Sequence, residues 1–238
     1  MTSSPICILS DAHHMPNETN TWQYFITLLN NLPNNTTLIT LGDFFDFWYR
    51  PVKDHQKNYG ALLGAIKNAT TKGIIIHFIV GNRDFFFTQE DADNLGITLQ
   101  EEPFRYHYDG EKLCFLHGDL LLTQDHAYQK FRKFIRQNWI ATLSRNLPYA
   151  LADFIVKRIR KKTQQNKTTK PIDQFTVNLQ EASHYLQNDD FLICGHTHIP
   201  LEEKLPTGKL RVLPAYGEKG EYLYKEPGKD WELKNGDV

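Results

Sequence analysis

The sequence predicts an α/β fold built on a parallel sheet, with a basic helical insertion laid against it. Three observations carry that expectation. Five short runs are almost wholly apolar, the stretches between the first three repeat apolar residues at helical spacing, and one later segment is both helical in pattern and strongly basic. A strand–helix–strand–helix–strand order implies parallel strands joined by right-handed crossovers.

The strands are read at ICIL (6–9), LITL (38–41), IIIHFIV (74–80), KLCFL (112–116) and DFLIC (190–194). Runs so evenly apolar suit strands buried on both faces. Residues 20–32 (NTWQYFITLLNNL) and 55–72 (HQKNYGALLGAIKNATTK) place apolar side chains three and four apart, as an amphipathic helix does. Residues 125–143 do the same with Ala127, Phe131, Phe134, Ile135, Trp139 and Leu143, and residues 147–159 with Leu147, Leu151, Phe154, Ile155 and Ile159. Pro148 fits a first helical turn. The polar stretch KKTQQNKTTKP (161–171) reads as a loop, which bounds an insertion at 120–171 and leaves 1–119 and 172–238 as the core. The tail (209–234), with Gly/Pro punctuation between KLRVLPAY, GEYLYKE and DWELK, reads as a closing β-meander.

Bulk properties narrow the class. A chain of 238 residues with net charge −1, 40% hydrophobic and 23% charged is ordinary globular protein, not a disordered, collagenous or coiled-coil one. No apolar stretch approaches the roughly 18 residues needed to span a bilayer. The opening MTSSPICILSDAHH lacks the basic n-region of a signal peptide, so the expected compartment is the cytoplasm. Cys7, Cys114 and Cys194 sit far apart inside apolar runs, which fits small buried hydrophobes better than a disulfide framework or a zinc site. Between Tyr128 and Lys170 there are twelve Lys/Arg against one acid, Asp153, so this segment calls for an anionic partner.

Each of the five strands runs straight into residues that bind metals: Ser-Asp11-Ala-His13, Gly-Asp43-Phe-Phe-Asp46, Gly-Asn82-Arg83-Asp84, His117-Gly-Asp119 and Gly-His196-Thr-His198. In open α/β sheets ligands bind beyond the carboxyl ends of the strands, so five segments would deliver these groups to one edge. Residues two apart on an extended backbone point the same way, which lets both members of D-x-H or H-x-H face inward. Asp11, His13, Asp43, Asn82, His117, His196 and His198 make seven donors, enough for two ions with one carboxylate shared. Mixed carboxylate, imidazole and amide donors suit Mn²⁺, Fe²⁺ or Zn²⁺. Two such ions about 3.5–4 Å apart activate a bridging water and hold both sides of an in-line phosphoryl displacement. The glycines before Asp43, Asn82 and His196 permit tight turns and close backbone approach. Each motif alone is weak. His77, inside its strand, reads as a satisfied core histidine, and His55, His107 and His184 as surface or hydrogen-bonded residues. Asp46, Asp84 and Asp119 read either as carboxylates that orient the donors or as turn and helix-cap residues.

Taken in order, D-x-H, GD, GN-[HR]-[DE], H and GHTH resemble the calcineurin-like metallophosphoesterases, from Asp11 to His198. The resemblance implies an αββα sandwich with a Mn²⁺-type dinuclear centre, the insertion forming a cap over it. It places Asp11, His13, Asp43 and His198 on one ion, and Asp43, Asn82, His117 and His196 on the other. Catalysis would rest on Asp43, Asn82, Arg83, His117 and His196. Many relatives carry His where this chain has Arg83; arginine does not protonate a leaving group but grips phosphate oxygens, which favours a leaving phosphate. LGDFFDFW, GNRDFFF, LHGDLLLTQDHAYQKFR and GHTHIP are similar to the members that cleave the pyrophosphate of a UDP-linked diacylglucosamine in lipid A biosynthesis. That implies a lipid-linked UDP-sugar as substrate, contacted by Asn82, Arg83, Asp125, Thr163, Lys167, Lys170 and His196. It also implies a monomer held peripherally at the cytoplasmic face of the inner membrane. Thr163 stands where serine is usual, Lys167 where asparagine is common, and DAHH where DLHL is usual.

Two other readings stay open on the residues alone. One keeps the metals and takes a soluble nucleotide as substrate, which leaves the amphipathic basic insertion without a purpose. The other makes 128–170 a nucleic-acid or membrane docking element beside a vestigial site; basic helices do track phosphate backbones, but every donor position here is filled, which a vestigial site would not require. No nucleic-acid partner is expected. There is no GxSxG elbow and no GxGxxG motif after a strand.

Overall fold

In the computed structural model, which describes residues 4–16, 19–49, 51–137, 139–140, 147–148, 151, 154, 158 and 176–236, every expected strand forms. The first half of the chain runs β1 (Ile6–Leu9), α1 (Thr19–Asn31), β2 (Thr37–Thr40), α2 (Val52–Thr71), β3 (Ile75–Ile79), α3 (Gln89–Leu95), β4 (Thr98–Gln100), β5 (Phe104–Tyr108) and β6 (Glu111–Phe115). A 3₁₀ turn (Asp119–Leu121) leads to α4 (His126–Ile135). Then come α5 (Leu179–Leu186), β7 (Phe191–Cys194), β8 (Leu201–Lys204), β9 (Lys209–Val212), α6 (Tyr216–Lys219), β10 (Tyr222–Lys225) and β11 (Glu232–Lys234). Among the described residues no helix is long and apolar enough to cross a membrane.

The strands divide between two sheets. One has the order β11-β10-β1-β2-β3-β4, the other β5-β6-β7-β9-β8. Neighbours from β1 to β4 are parallel, as are β6 with β7 and β7 with β9; β10, β11, β5 and β8 pair antiparallel. The parallel strands expected from the strand–helix order are divided between the two sheets of the expected αββα sandwich, β1–β3 in one and β6–β7 in the other. Side chains alternate across each strand: Ile6, Ile8, Ile39 and Ile79 of the first sheet meet Leu113, Phe115 and Ile193 of the second in a shared inner layer. Cys7, Leu9 and Leu38 face Phe25 of α1 and Leu62 and Ile66 of α2, while Cys114, Leu192 and Cys194 face Ala182 and Leu186 of α5. The layers are α, β, β, α. Burial on both faces is why the core strands read as unbroken apolar runs, and why all three cysteines are free and buried.

Two expectations fail. The closing β-meander does not exist: β9 pairs with β7 and β8 in the second sheet, and α6 carries the chain back so that β10 and β11 complete the first. Three strands separated by punctuation say nothing about which sheet edge each will find. The insertion also departs from expectation. α4 ends at Ile135 and helical backbone resumes only at 139–140, so the expected helix over 125–143 is interrupted, and none of α4's residues is fully buried. Phe131, Phe134, Trp139, Leu151 and Phe154 are exposed, so the apolar stripe is not what attaches this helix to the core. Of 147–159 only 147, 148, 151, 154 and 158 are among the described residues, and all of 161–171 lies outside them. α2 starts three residues earlier than expected because Asp91 Oδ1, from α3, accepts the Val52 N–H at 3.1 Å, a long-range cap with no local signature.

Replacing Ile193, which is fully buried between the sheets, with alanine is expected to cost about 2–5 kcal/mol by urea denaturation. Phe134→Ala on the exposed face of α4 should stay within about 0.5 kcal/mol.

Candidate metal centre

The strands end in backbone that bends sharply. Asp11, His13, Asp43, His196 and His198 all take positive φ, between 47° and 70°. Each such non-glycine residue costs on the order of 1 kcal/mol or more. The extended D-x-H and H-x-H geometry read from the sequence is thus corrected: left-handed turns, not strand alternation, aim these side chains. Cross-loop hydrogen bonds hold the turns, with Asp11 N donating to Gly42 O (3.1 Å), His13 N to Asp43 O (2.9 Å) and Gly195 N to His117 O (2.8 Å). The loops also pack too closely for a side chain at several glycines, Gly81 and Gly195 most severely. A Cβ on Gly81 would strike Asp43, and one on Gly195 would strike Ser10 and Asp11.

Two groups of donors result. In the first, His198 Nε2 lies 3.1 Å from His13 Nε2 and 3.4 Å from Asp11 Oδ1. In the second, His117 Nε2 lies 3.0 Å from Asn82 Oδ1 and 3.0 Å from His196 Nδ1. Asp43 stands between them, Oδ2 3.9 Å from His13 Nε2 and Oδ1 3.7 Å from His117 Nε2. Asp11, His13 and His198, and likewise Asp43, His117 and His196, offer donor atoms all within 4.8 Å of one another. All seven expected donors therefore converge, and His196 and His198 part to different groups. Arg83 borders the second, its backbone N donating to Asp43 Oδ1 (2.8 Å) and its guanidinium 3.5 Å from Asp46 Oδ1.

The donor chemistry fits cations. Leu41 O can only accept, so His117 Nδ1, 2.8 Å away, donates to it; in the neutral ring Nε2 then presents a lone pair to the oxygen of Asn82 and to His196. Asp11 Oδ2 accepts from Ser10 Oγ (2.5 Å) and His196 N (2.8 Å), while Oδ1 is buried without a hydrogen bond. An unbonded buried carboxylate oxygen among clustered imidazoles and carboxylates is a donor set that a cation would satisfy. Burial pushes the Asp43 carboxyl up to about 7, with Asp11 and Asp84 adding to it against His117 and Arg83. Burial alone would lower His117, but the carboxylates of Asp43, Asp119, Asp11 and Glu102 push it up to about 9. His196 is lowered to about 4, by burial and by the charge of His117.

The other expected residues have clear places. Asp84 is fully buried and accepts from Gly81 N (2.6 Å) and Phe44 N (2.8 Å), tying the loops of Asn82 and Asp43 together. Asp125 is the N-cap of α4, accepting from Tyr128 N at 3.1 Å, and is not part of either donor group. Thr163, Lys167 and Lys170 lie outside the described residues. His77 is half-buried and bonded to Gln100 (2.9 Å), and His55, read as a surface or hydrogen-bonded residue, is buried and stacks on Trp48. Ser10 and Glu102 were not singled out in the sequence. Ser10 could have been found from its adjacency to Asp11; Glu102, whose Oε1 accepts from His117 N at 2.6 Å, has no local signal.

The profile of the calcineurin-like phosphoesterase family matches residues 4–200. UDP-2,3-diacylglucosamine hydrolase of Vibrio vulnificus (strain CMCP6) is 32% identical over 195 residues, covering 81% of this chain and 80% of that one. The protein of the same name from Shewanella piezotolerans is 33% identical over 221 residues, 90% and 91% of the two chains. The structure of an archaeal phosphodiesterase aligns over 97% of this chain and 99% of its own, with a TM-score of 0.46 and 15% identity.

Ligands must be deprotonated to bind metal. Uptake of Mn²⁺ at pH 7 by ion-free protein is therefore expected to release at least one proton, with affinity falling as pH drops from about 9 toward 6. Calorimetry in two buffers of different ionisation enthalpy counts the protons, and zero release would contradict this. Asp43→Ala should lose at least one bound equivalent by elemental analysis; retention of two would remove Asp43 from the shared position.

Proposed function

The chain belongs to the calcineurin-like phosphoesterases, and from that premise we propose that it hydrolyses the pyrophosphate bond of UDP-2,3-diacylglucosamine. The products are UMP and 2,3-diacylglucosamine 1-phosphate, in lipid A biosynthesis. The observation that carries the reaction class is Asp43, with one carboxylate oxygen turned to each donor group. The substrate comes from the printed names of relatives 32–33% identical over four fifths or more of the chain.

Asp11, His13, Asp43 and His198 would hold one divalent ion, and Asp43, Asn82, His117 and His196 the other; we assign Mn²⁺. Such a pair supplies a water made nucleophilic at neutral pH and draws charge from the phosphoryl oxygens. The protein's own groups do the rest. Leu41 O fixes His117 so that Nε2 faces inward, and Arg83, braced by Asp46, closes its fork on phosphate oxygens as their charge grows. An arginine there has no proton to hand over, which suits a leaving UMP or sugar phosphate that needs none. Asn82, His196 and Asp125, together with Thr163, Lys167 and Lys170, complete the substrate contacts in this reading.

Residues 120–171 act as a cap over the core formed by 1–119 and 172–238. The exposed Phe131, Phe134, Trp139, Leu151 and Phe154, with basic residues interleaved, support shelter for acyl chains and a peripheral seat on the anionic cytoplasmic face of the inner membrane. A small soluble nucleotide would need no such surface.

Ion-stripped protein reloaded with Mn²⁺ should release UMP from UDP-2,3-diacylglucosamine in detergent; stripped protein with undiminished activity would refute the reading. Arg83→Ala should keep its metal content while kcat falls about a hundredfold to a thousandfold. Loss of metal instead would make Arg83 structural.

A further inference from the structure

The face of α4 that meets the core is polar, and it ends on the second donor group. Tyr128, Arg132 and Arg136 are spaced four apart and so form one stripe along the helix. Tyr128 Oη donates to Asp119 Oδ2 (2.5 Å), and its ring stacks on His196 with centroids 6.2 Å apart. Arg132 spans two buried carboxylates, Nε donating to Asp119 Oδ2 and Nη2 to Glu102 Oε2, both at 2.7 Å. Arg136 Nη1 reaches the same Glu102 oxygen at 3.4 Å, and its Nη2 donates to Val80 O (3.3 Å) and Gly81 O (3.0 Å), the residues just before Asn82. The other oxygen of Glu102 accepts the His117 N–H.

We infer that Arg132 and Arg136, acting through Glu102 and Asp119, are positioning residues that tie the seating of α4 to the placement of Asn82, His117 and His196. This rests on reading those three, with Asp43, as an ion site. The contacts touch the segments that carry all three. They include no contact with Asp11, His13 or His198; Asp11 and His13 bond through their backbone to the β2 loop, and Asp11 Oδ2 accepts from Ser10 Oγ and from His196 N. Glu102 and Asp119 have side chains 5% and 0% exposed, so losing an arginine leaves a buried carboxylate under-paired beside the His117 backbone. With no fully buried side chain of its own, α4 relies on this polar stripe for its seat. A cap that lifts would therefore be felt at the second ion before the first.

The test measures Mn²⁺ affinity at both sites by calorimetry, with the electron paramagnetic resonance spectrum of the loaded protein as a second readout, on wild type, Arg132→Met, Arg136→Met and Arg132→Lys. Arg136→Met keeps Arg132 on Glu102 and so guards against a variant that fails to fold. Lys133→Met, on the exposed face of the same helix, removes a charge that pairs with neither carboxylate. The expected result is a loss of about tenfold to a hundredfold in affinity for the second ion, with the first within about twofold, and replacement of the coupled-pair spectrum by that of isolated Mn²⁺. Arg132→Lys should recover part of it, because one ammonium cannot span both carboxylates as a planar fork does, while Lys133→Met should match wild type. Unchanged affinity at both sites in folded Arg132→Met and Arg136→Met overturns the inference, as does equal loss at both sites with a lowered thermal midpoint. Wild-type protein that takes up no Mn²⁺ would instead sink the reading of the site, and this inference with it.

Discussion

Seven donor atoms aimed at two small volumes repel one another, and the rest of the molecule is arranged to keep them there. Polar atoms crowd to 3.0 Å around the buried His117 Nε2, and five of the residues involved hold left-handed backbone. Neither condition is stable in isolation. The counterweight is the inner layer between the sheets, where Ile8, Ile39, Ile79, Phe115 and Ile193 are essentially inaccessible to solvent. Each of β1, β2, β3, β6 and β7 contributes to that layer and ends at the site, so apolar packing and donor placement share the same strands. Asp84 adds a direct strut between two of the loops, bonding to backbone amides on both.

What the sequence disclosed follows from this sharing. Strands buried on both faces are apolar throughout, so ICIL, LITL and FLIC announce themselves, and the polar residues that interrupt them mark the strand ends. The donors were legible for the same reason. Short or exposed strands such as β4, β8 and β11 carry mixed residues and leave no comparable mark. Nor does a parallel strand advertise which of two sheets it joins, since both offer the same environment. The left-handed turns are invisible because they occupy Asp and His positions rather than glycine. Glu102 and the pairing of Arg132 with it escape notice because residues thirty apart carry no shared pattern.

The basic segment shows how charge counting can mislead. Arg132 and Arg136 were counted with an outward-facing patch, yet their side chains are only 14% and 23% exposed and they pair with carboxylates of the core. Lys130 and Lys133, on the same helix, remain exposed. One helix thus divides its cations between holding itself to the core and facing solvent, and alternation around the helix keeps the two sets apart.

Gly81 and Gly195 have a consequence for how this chain can change over generations. Each occupies ground that a single methyl group would take from a donor residue or its neighbour. Random drift can exchange one aliphatic residue for another within the strands that lead to them, because volume can be redistributed there. At these two places it has nowhere to go, and any lineage that keeps the chemistry inherits both positions unaltered.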